Sequence, residues 1–328
     1  MSLFRKKSHR VSMMIRNHTI RYVETIKPNV IINYGERRLP YGVIEEGNII
    51  ERETLLTILE ECVENWKIKG AKLQFCVPDP YMLIRNTTVP FDIPDDEVQG
   101  HLYLELGETL HLPFEDPILE TNVIGEKDGE KQIILIASPE HIISNYVELL
   151  EEAKVKPEVA DITPLAMYRL FYSQHSTSQA EHYLMIQVNL DSVDMTVFHQ
   201  DIPIFTRHLP LSMESKQWDV KMGRSGIEEW VYIGDEKDLI GKIQDIVLEV
   251  ERIINFYHFS LHKGNESVTQ IRIGGDHPFV GLLMERAKQS INIPIQKIVD
   301  TPYHTKAGED IPERFFDCIG LSLHGYLT

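Results

Sequence analysis

The sequence predicts an α/β protein of two halves, with a compact α+β layer inserted in the first. Three observations lead there: two strand-turn-strand stretches, one near the start of each half; a strand followed by Gly-Gly and a helix late in the chain; and a central run, residues 81–157, with punctuation of its own. A length of 328 residues exceeds what a single core organises and suits two domains.

Residues 11–24, VSMMIRNHTIRYVE, read as a strand, a bend at Asn17-His18 and a second strand in which Ile20 and Tyr22 alternate. Residues 30–34 and 37–43 extend the sheet, and Gly47-Asn48 is a turn. Leu55, Leu59, Cys62 or Val63, and Trp66 recur at helical spacing with Glu60, Glu61 and Glu64 outside, and Gly70 is expected to end that helix. Residues 73–77 form a buried strand bounded by Pro78 and Pro80.

The inserted layer opens with a strand at 82–89. Pro94-Asp95-Asp96-Glu97 is predicted to start a helix carrying Val98, Leu102 and Leu106, its carboxylates lying where the helix dipole favours them. Strands at 118–124 and 132–137 pair across Lys127-Asp128-Gly129-Glu130, and a second helix places Ile142, Tyr146, Leu149, Leu150 and Ala153 on one face. Residues 157–161 return to strand, 164–172 form a short helix, and the polar stretch 173–181 links the halves.

The second half begins with residues 183–210, where Leu184, Ile186 and Val188 alternate, then Met195 and Val197, around a tight turn at 189–193. A third strand, 203–209, follows the turn at Gln200-Asp201. Strand, polar turn, strand is the shape of a phosphate-binding hairpin, whose turn N–H groups point at an anion. This turn is written Asn189-Leu190-Asp191, without glycine. Residues 238–260 make the longest helix, with Leu239, Ile243, Ile246, Val250, Ile253 and Tyr257 as a core-facing stripe in preference to a coiled seam. A strand at 269–273 ends in Gly274-Gly275, and a helix near 279–290, a strand at 294–299 and a closing helix at 312–326 complete the chain.

The charge balance is −17, from 50 acidic against 33 basic residues, and such a surface repels a nucleic-acid backbone. The basic run Arg5-Lys6-Lys7, with Arg10, is too short for a nucleic-acid patch and reads as a solvated terminus in preference to a weak attraction to an anionic membrane. Cys62, Cys76 and Cys318 are sparse and without CxxC spacing, which points to a reducing compartment and against disulfides or zinc. No run approaches the roughly 20 apolar residues of a membrane span, so a cytoplasmic protein is expected. The 14 histidines are read as giving no ligand pair beside carboxylates, and there is no GxSxG, Walker A or GxGxxG motif. No catalytic residue and no metal ligand is assigned.

Taken together, particular stretches resemble one family. MIRNHTIRYVE, residues 14–24, resembles its first strand pair D-I-G-S-S-S-I-K-x-V-E, and residues 187–198 resemble its second, D-I-G-A-S-S-T-D-x-T-V-F. Thr109-Leu110-His111-Leu112-Pro113-Phe114 looks like its Y-I-P-F, and YVELLEEAKVKPEVADITPLAMYRLF, residues 146–171, is similar throughout. Ile273-Gly274-Gly275 with residues 278–283 resembles its adenosine motif, and Ile319-Gly320-Leu321-Ser322-Leu323 its last helix. The family is PilM of type IV pilus assembly, related to FtsA within the actin-like ATPase superfamily, and the resemblance covers nearly the whole chain. It implies an actin-like, ribonuclease H-like fold: a first subdomain from residues 1–80 and 157–180, an FtsA/PilM-type insert at 81–156, and a second half at 181–328 with a smaller insert near 212–268.

In that superfamily each hairpin supplies an aspartate near Mg²⁺ and glycines that let the backbone close on phosphate. Here Met14 and Arg16 hold those positions in the first hairpin, Gln187 and Asn189 in the second. A thioether is a soft ligand for a hard ion, and Arg16 places a Cβ where backbone would approach phosphate. Asp191 adds a charge that repels a phosphate at about 4–5 Å by a few kcal/mol at an effective dielectric near 20. The degenerate nucleotide cleft would comprise Arg16, Asn17 and His18, then Ser192 and Asp194, then Gly274 and Gly275. Arg16 is either an exposed arginine at the edge of an inactive cleft or a guanidinium that replaces the metal and holds phosphate itself.

The resemblance implies a scaffold at the cytoplasmic face of the inner membrane, associated with the membrane through its partner and with other pilus assembly proteins. It would capture the N-terminal tail of a PilN-like membrane protein in a groove between the first subdomain and the insert, lined by residues from about 81 to 114 and by the helix at Pro164. No cofactor is expected. The alternative is an actin-like ATPase or nucleotide-dependent switch, with ATP and Mg²⁺ in a variant site. A division filament like FtsA would need a C-terminal amphipathic anchor, which is not expected from a chain ending at Leu327-Thr328.

Overall fold

A computed structural model describes residues 9–175, 177–211, 217–222 and 228–326, so Arg5-Lys6-Lys7 and Leu327-Thr328 lie outside the described residues. The first alternating stretch forms a hairpin of β1 (Arg10–Arg16) and β2 (Thr19–Lys27), with Arg16 opposite Thr19 and Asn17-His18 in the turn. β3 (Val30–Arg38) pairs with β2, but residues 39–43 leave the sheet before a short ribbon of β4 (Ile44–Glu45) and β5 (Asn48–Ile49). α1 (Arg52–Asn65) buries Leu55, Ile58, Leu59, Cys62 and Val63. It stops before Gly70. Lys67 takes the left-handed conformation at φ 58°, and the N–H groups of Lys67 and Ile68 reach the carbonyls of Glu64 and Val63, which closes the helix end without a glycine.

β6 (Lys72–Cys76) pairs in parallel with β1. After a single 3₁₀ turn at Asp79–Tyr81 come β7 (Leu83–Pro90), α2 (Val98–Leu104), β8 (Pro117–Lys127) and β9 (Glu130–Pro139), a three-stranded layer in the order β7-β9-β8. Residues 94–97 are a turn rather than the first turn of α2, because Lys131 Nζ gathers the Ile93 carbonyl and the Asp95 carboxylate there. α3 (Glu140–Glu152) packs Ile142, Tyr146, Leu149 and Leu150 on the first sheet, β10 (Lys156–Asp161) adds to β6, and α4 (Thr163–Gln174) follows.

β11 (His182–Val188), β12 (Ser192–His199) and β13 (Ile202–Pro210) form the second antiparallel set. A ribbon of β14 (Trp218–Met222) and β15 (Glu228–Tyr232) precedes α5 (Glu236–Asn255), which runs on as a π-helical turn, Phe256–Leu261. β16 (Gln270–Gly274), α6 (Val280–Ser290), β17 (Ile295–Lys297), a ribbon of β18 (Tyr303–His304) and β19 (Asp310–Ile311), and α7 (Phe316–Ser322) finish the fold.

The two large sheets have the same plan, β3-β2-β1-β6-β10 and β13-β12-β11-β16-β17, each with three antiparallel strands continued by two parallel ones. α5 and α6 cover one face of the second sheet, where Leu239, Ile243, Ile246, Val250, Ile253 and Tyr257 are all buried, so the stripe is core. Each such side chain is worth roughly 1.5–3 kcal/mol when withdrawn from water. α4 and α7 lie between the sheets, in one apolar layer that joins Met14, Val23 and Ile31 to Tyr183, Met185 and Phe198. They touch so closely that a Cβ on Gly320 would stand 2.1 Å from the Ala166 carbonyl oxygen. All three cysteines are buried and unpaired.

Candidate functional site

The two hairpins meet at their tips. Asn17 Nδ2 donates to the Asp191 carboxylate, and Asn17 Oδ1 accepts the Gly47 N–H at 3.0 Å. His18 Nδ1 lies 3.9 Å from Asp191 Oδ2, and burial holds the ring's pKa below its ordinary value despite that neighbour. The polar tip of the first hairpin thus bonds both to the tip of the second and to the Gly47 turn.

Behind the tips the cleft is filled by the chain's own charges. Arg16 has only 8% of its side chain exposed and donates to Asp79 Oδ2 and Asp317 Oδ2, each at 3.2 Å. It is therefore neither an exposed edge arginine nor a guanidinium free for phosphate. Burial opposes the charged form, but Asp79 and then Asp317 outweigh it and hold Arg16 protonated. Asp79 sits between two prolines after β6, and burial followed by the charge of Asp194 pushes its carboxyl up to about 6 against the pull of Arg16. On β2, Arg21 donates from Nη1 to Asp276 Oδ2 at 2.6 Å and from Nε to Glu36 Oε2 at 2.7 Å, the oxygen that Arg314 Nε also reaches at 2.8 Å. Burial alone would raise Asp276, but Arg21 and then Arg16 bring it down to about 2.

The second hairpin is closed on itself. Asp194 Oδ2 accepts from Asn189 Nδ2 and Ser192 Oγ, both at 3.1 Å, while Oδ1 lies 2.6 Å from His208 Nδ1. Burial works against a charged His208, and the hydrogen bond and charge of Asp194 overcome it and raise its pKa. Gln187 donates to Asn189 Oδ1 at 3.3 Å, and Met14 belongs to the apolar layer under α4 and α7.

Gly274 and Gly275 face elsewhere. Gly275 has φ 127°, and a Cβ there would stand 2.1 Å from the Val188 carbonyl oxygen; one on Gly274 would stand 3.0 Å from Ile298 Cδ1. Gly275 lets the turn after β16 lie directly on β11, and Gly274 makes room for Ile298. So Arg16, Asn17, His18, Ser192 and Asp194 are brought together, while the glycines reach the cleft only through their successor, Asp276. Arg21, Glu36, Asp79, Asp276 and Asp317 were not legible as site residues. Two left a trace in the sequence: a charged residue between the apolar Ile20 and Tyr22, and an aspartate locked between prolines.

Between the hairpins a cavity of about 50 Å³ remains, lined in part by Arg16, Asp79, Asp191, Ser192 and His208. That is room for one or two waters. A magnesium nucleotide does not fit these residues: the positions that resemble the superfamily's two aspartates hold Met14 and Gln187, and Arg16 is engaged by Asp79 and Asp317 beside a space of only about 50 Å³.

A larger hollow of about 870 Å³ opens where β7 and β13, each the edge strand of its sheet, approach one another. Asn86 Nδ2 donates to the Ile204 carbonyl at 3.3 Å at this meeting. Residues 81–86 with Pro113 and Phe114 form one wall and Ile204, Phe205, Thr206, Arg207 and His208 with Leu261 the other, so this hollow lies between the insert and the second half, whereas the expected groove was between the first subdomain and the insert. Pro164 is buried at the start of α4, which packs on α7 between the sheets, and does not line this hollow.

Residues 15–213, more than half of the chain, match the family of the type IV pilus assembly protein PilM. The chain belongs to the PilM family. Among solved structures, the PilM-PilN type IV pilus biogenesis complex superposes with a TM-score of 0.77 over 96% of this chain and 98% of that chain, at 16% identity. Ethanolamine utilization protein EutJ from Carboxydothermus hydrogenoformans superposes with a TM-score of 0.54 over 97% and 90%, at 10% identity. At these identities the likeness is one of fold, the actin-like one. No curated protein matches the sequence.

For this PilM-family chain, no group of three metal-ligating side chains assembles among the described residues. One histidine pair does stand four apart, contrary to the sequence reading. His258 Nδ1 meets the Glu266 carbonyl and His262 Nδ1 the Glu266 carboxylate, each at 2.7 Å, so both are engaged locally. Among the described residues no helix is long and apolar enough to cross a membrane.

Proposed function

We propose that the protein is a non-enzymatic scaffold of type IV pilus assembly that holds the N-terminal tail of a PilN-like membrane partner and neither binds nor hydrolyses ATP. The observation that carries this is Arg16, paired with Asp79 and Asp317 in the space where the superfamily accommodates phosphate. The groove between β7 and β13 supports the tail reading. It runs along two sheet edges, which suits an extended peptide, and Met82, Ile84, Phe114, Phe205 and Leu261 offer apolar seats for alternate side chains. The partner would keep the protein at the cytoplasmic face of the inner membrane, beside other assembly proteins.

Two titrations on the purified protein test it. The partner's N-terminal peptide is expected to bind with micromolar affinity or better, and Phe114→Asp to abolish that binding while the melting curve stays cooperative. Mg-ATP at millimolar concentration is expected to leave the melting temperature unchanged, since a ligand at 100 times its Kd adds about 2.7 kcal/mol. A clear upward shift with ATP, or turnover of it, overturns the non-enzymatic reading; a silent peptide overturns the scaffold reading.

A further inference from the structure

The hollow between β7 and β13 carries a charge opposite to that of the molecule around it. The chain has 50 acidic residues against 33 basic ones. The described residues that line the hollow invert this balance: Arg85, Arg207, His141, His208 and His262 stand against one carboxylate, Asp79, which is buried and turned to Arg16. His208 and His262 have carboxylate partners in Asp194 and Glu266. The two arginines do not. Arg207 is exposed and makes no hydrogen bond or ion pair among the described residues, and Arg85, also exposed, uses one nitrogen on the His111 carbonyl at 2.9 Å. A guanidinium left open on a groove wall attracts a carboxylate and offers it paired donors.

The backbone decides what carries that carboxylate. β7 and β13 are edge strands, and among the described residues no backbone hydrogen bond joins them; the Asn86 side chain bridges to the Ile204 carbonyl instead. Open N–H and C=O rows of this kind suit an added strand, which a lipid headgroup or a nucleic-acid chain cannot supply. Every second residue of a strand lies on one face. On β13 that sets Phe205 beside Arg207, and on β7 it sets Leu83 beside Arg85. Each wall thus presents an apolar side chain two residues from a cation, and a strand laid along it is matched by a carboxylate two residues from an apolar side chain.

We propose that the groove selects an acidic extended segment, in which an aspartate or glutamate stands two residues from an apolar side chain and pairs with Arg207 or Arg85. The inference rests on the reading that this groove takes a partner's tail, and the experiment separates the two. Calorimetric titration uses three synthetic probes: acetyl-TLTETLTET-amide and its variants with glutamine or with lysine in place of both glutamates. The glutamate probe is expected to bind about fivefold more tightly than the glutamine probe, the yield of an exposed ion pair, and the lysine probe least tightly. Arg207→Gln with Arg85→Gln should erase the advantage of glutamate and leave the glutamine probe as before, and salt at about 0.5 M should do the same. The partner's N-terminal peptide should lose affinity in the same variant. Both arginines are exposed, so the variant's melting curve should match that of the unaltered protein. Equal affinity for the glutamate and glutamine probes, or an advantage that survives the double substitution, overturns the charge selection. Competition of equal strength from a short oligothymidylate overturns the peptide origin. If the partner peptide binds, and is lost in Phe114→Asp yet indifferent to the arginines, the groove reading stands and this one falls; silence from the partner peptide and all three probes removes both.

Discussion

Arg21 Nη1 lies 2.6 Å from Asp276 Oδ2, in a contact between the two large sheets where only 1% and 3% of the two side chains are exposed. A pair withdrawn from water to this degree is expensive to break from one side, because the survivor keeps its desolvation and loses its counter-charge. Asp276→Asn should therefore lower unfolding stability by about 3–5 kcal/mol. Arg21→Met combined with Asp276→Leu should recover most of that loss. Urea midpoints of the two variants beside the unaltered protein check it, and equal losses in the single and double variants would show that packing, not charge, is at stake.

Restoring the family's glycine at Arg16 is expected to injure the protein and not to revive nucleotide binding. Arg16→Gly leaves Asp79 and Asp317 facing one another without a cation, a loss again of about 3–5 kcal/mol. Met14 and Gln187 still offer magnesium no carboxylate. Thermal melts of the variant with and without Mg-ATP should coincide at a lowered temperature.

Asp79 ties stability to pH. Its carboxyl, ordinarily at 3.8, is pushed to about 6 in the fold, so the native state holds the proton more tightly than the unfolded chain does. The stabilisation is complete below about pH 4 and is lost as pH rises through about 6, on the order of 3 kcal/mol. His208, raised by Asp194, adds a loss of the same sign at higher pH. Asp276, held at about 2, acts in the other direction and gives way only as pH falls from about 4 through 2. Urea midpoints should thus decline between pH 4 and 6, and Asp79→Asn should flatten that decline.

Gly320→Ala should be far more harmful than its size suggests. The added methyl would meet a backbone oxygen at 2.1 Å, which no side-chain rotation relieves, so α7 must move off α4. Overpacking of this kind costs about 1–3 kcal/mol or more. Gly281→Ala, on α6 with open space around it, is the control and should be neutral or slightly stabilising.

Local pattern announced the elements that repeat a period. The six-residue stripe along α5 and the π-helical turn that continues it, and the alternation in β1, β2, β11 and β12, are long enough to be read directly, and two similar hairpins foretold two similar sheets. The ribbons β14–β15 and β18–β19 went unread, the latter because two-residue strands leave no period. Lys67 displaced Gly70 as the helix stop because a lysine can occupy the left-handed region when two hydrogen bonds hold it there. Within the cleft, the substitutions at Met14, Arg16, Gln187 and Asn189 were visible by position. What Arg16 does was not. Its partners lie 63 and 301 residues further along the chain, and nothing in the neighbouring sequence encodes contacts at that range.

The three buried thiols give the molecule internal reporters of opening. Burial pushes Cys62 up to about 12 and Cys76 and Cys318 well above their ordinary range, so none presents a thiolate to an electrophile while the fold is intact. Cys62 lies on the face of α1 that packs against the first sheet, whereas Cys76 and Cys318 lie in the layer between the sheets. The rate at which each accepts a thiol-reactive label is accordingly a clock for a different seam. Undocking of α1 starts the first, and parting of the two sheets starts the other two. The native chain can therefore time its own movements while a partner tail is seated or withdrawn, with no foreign group attached beforehand.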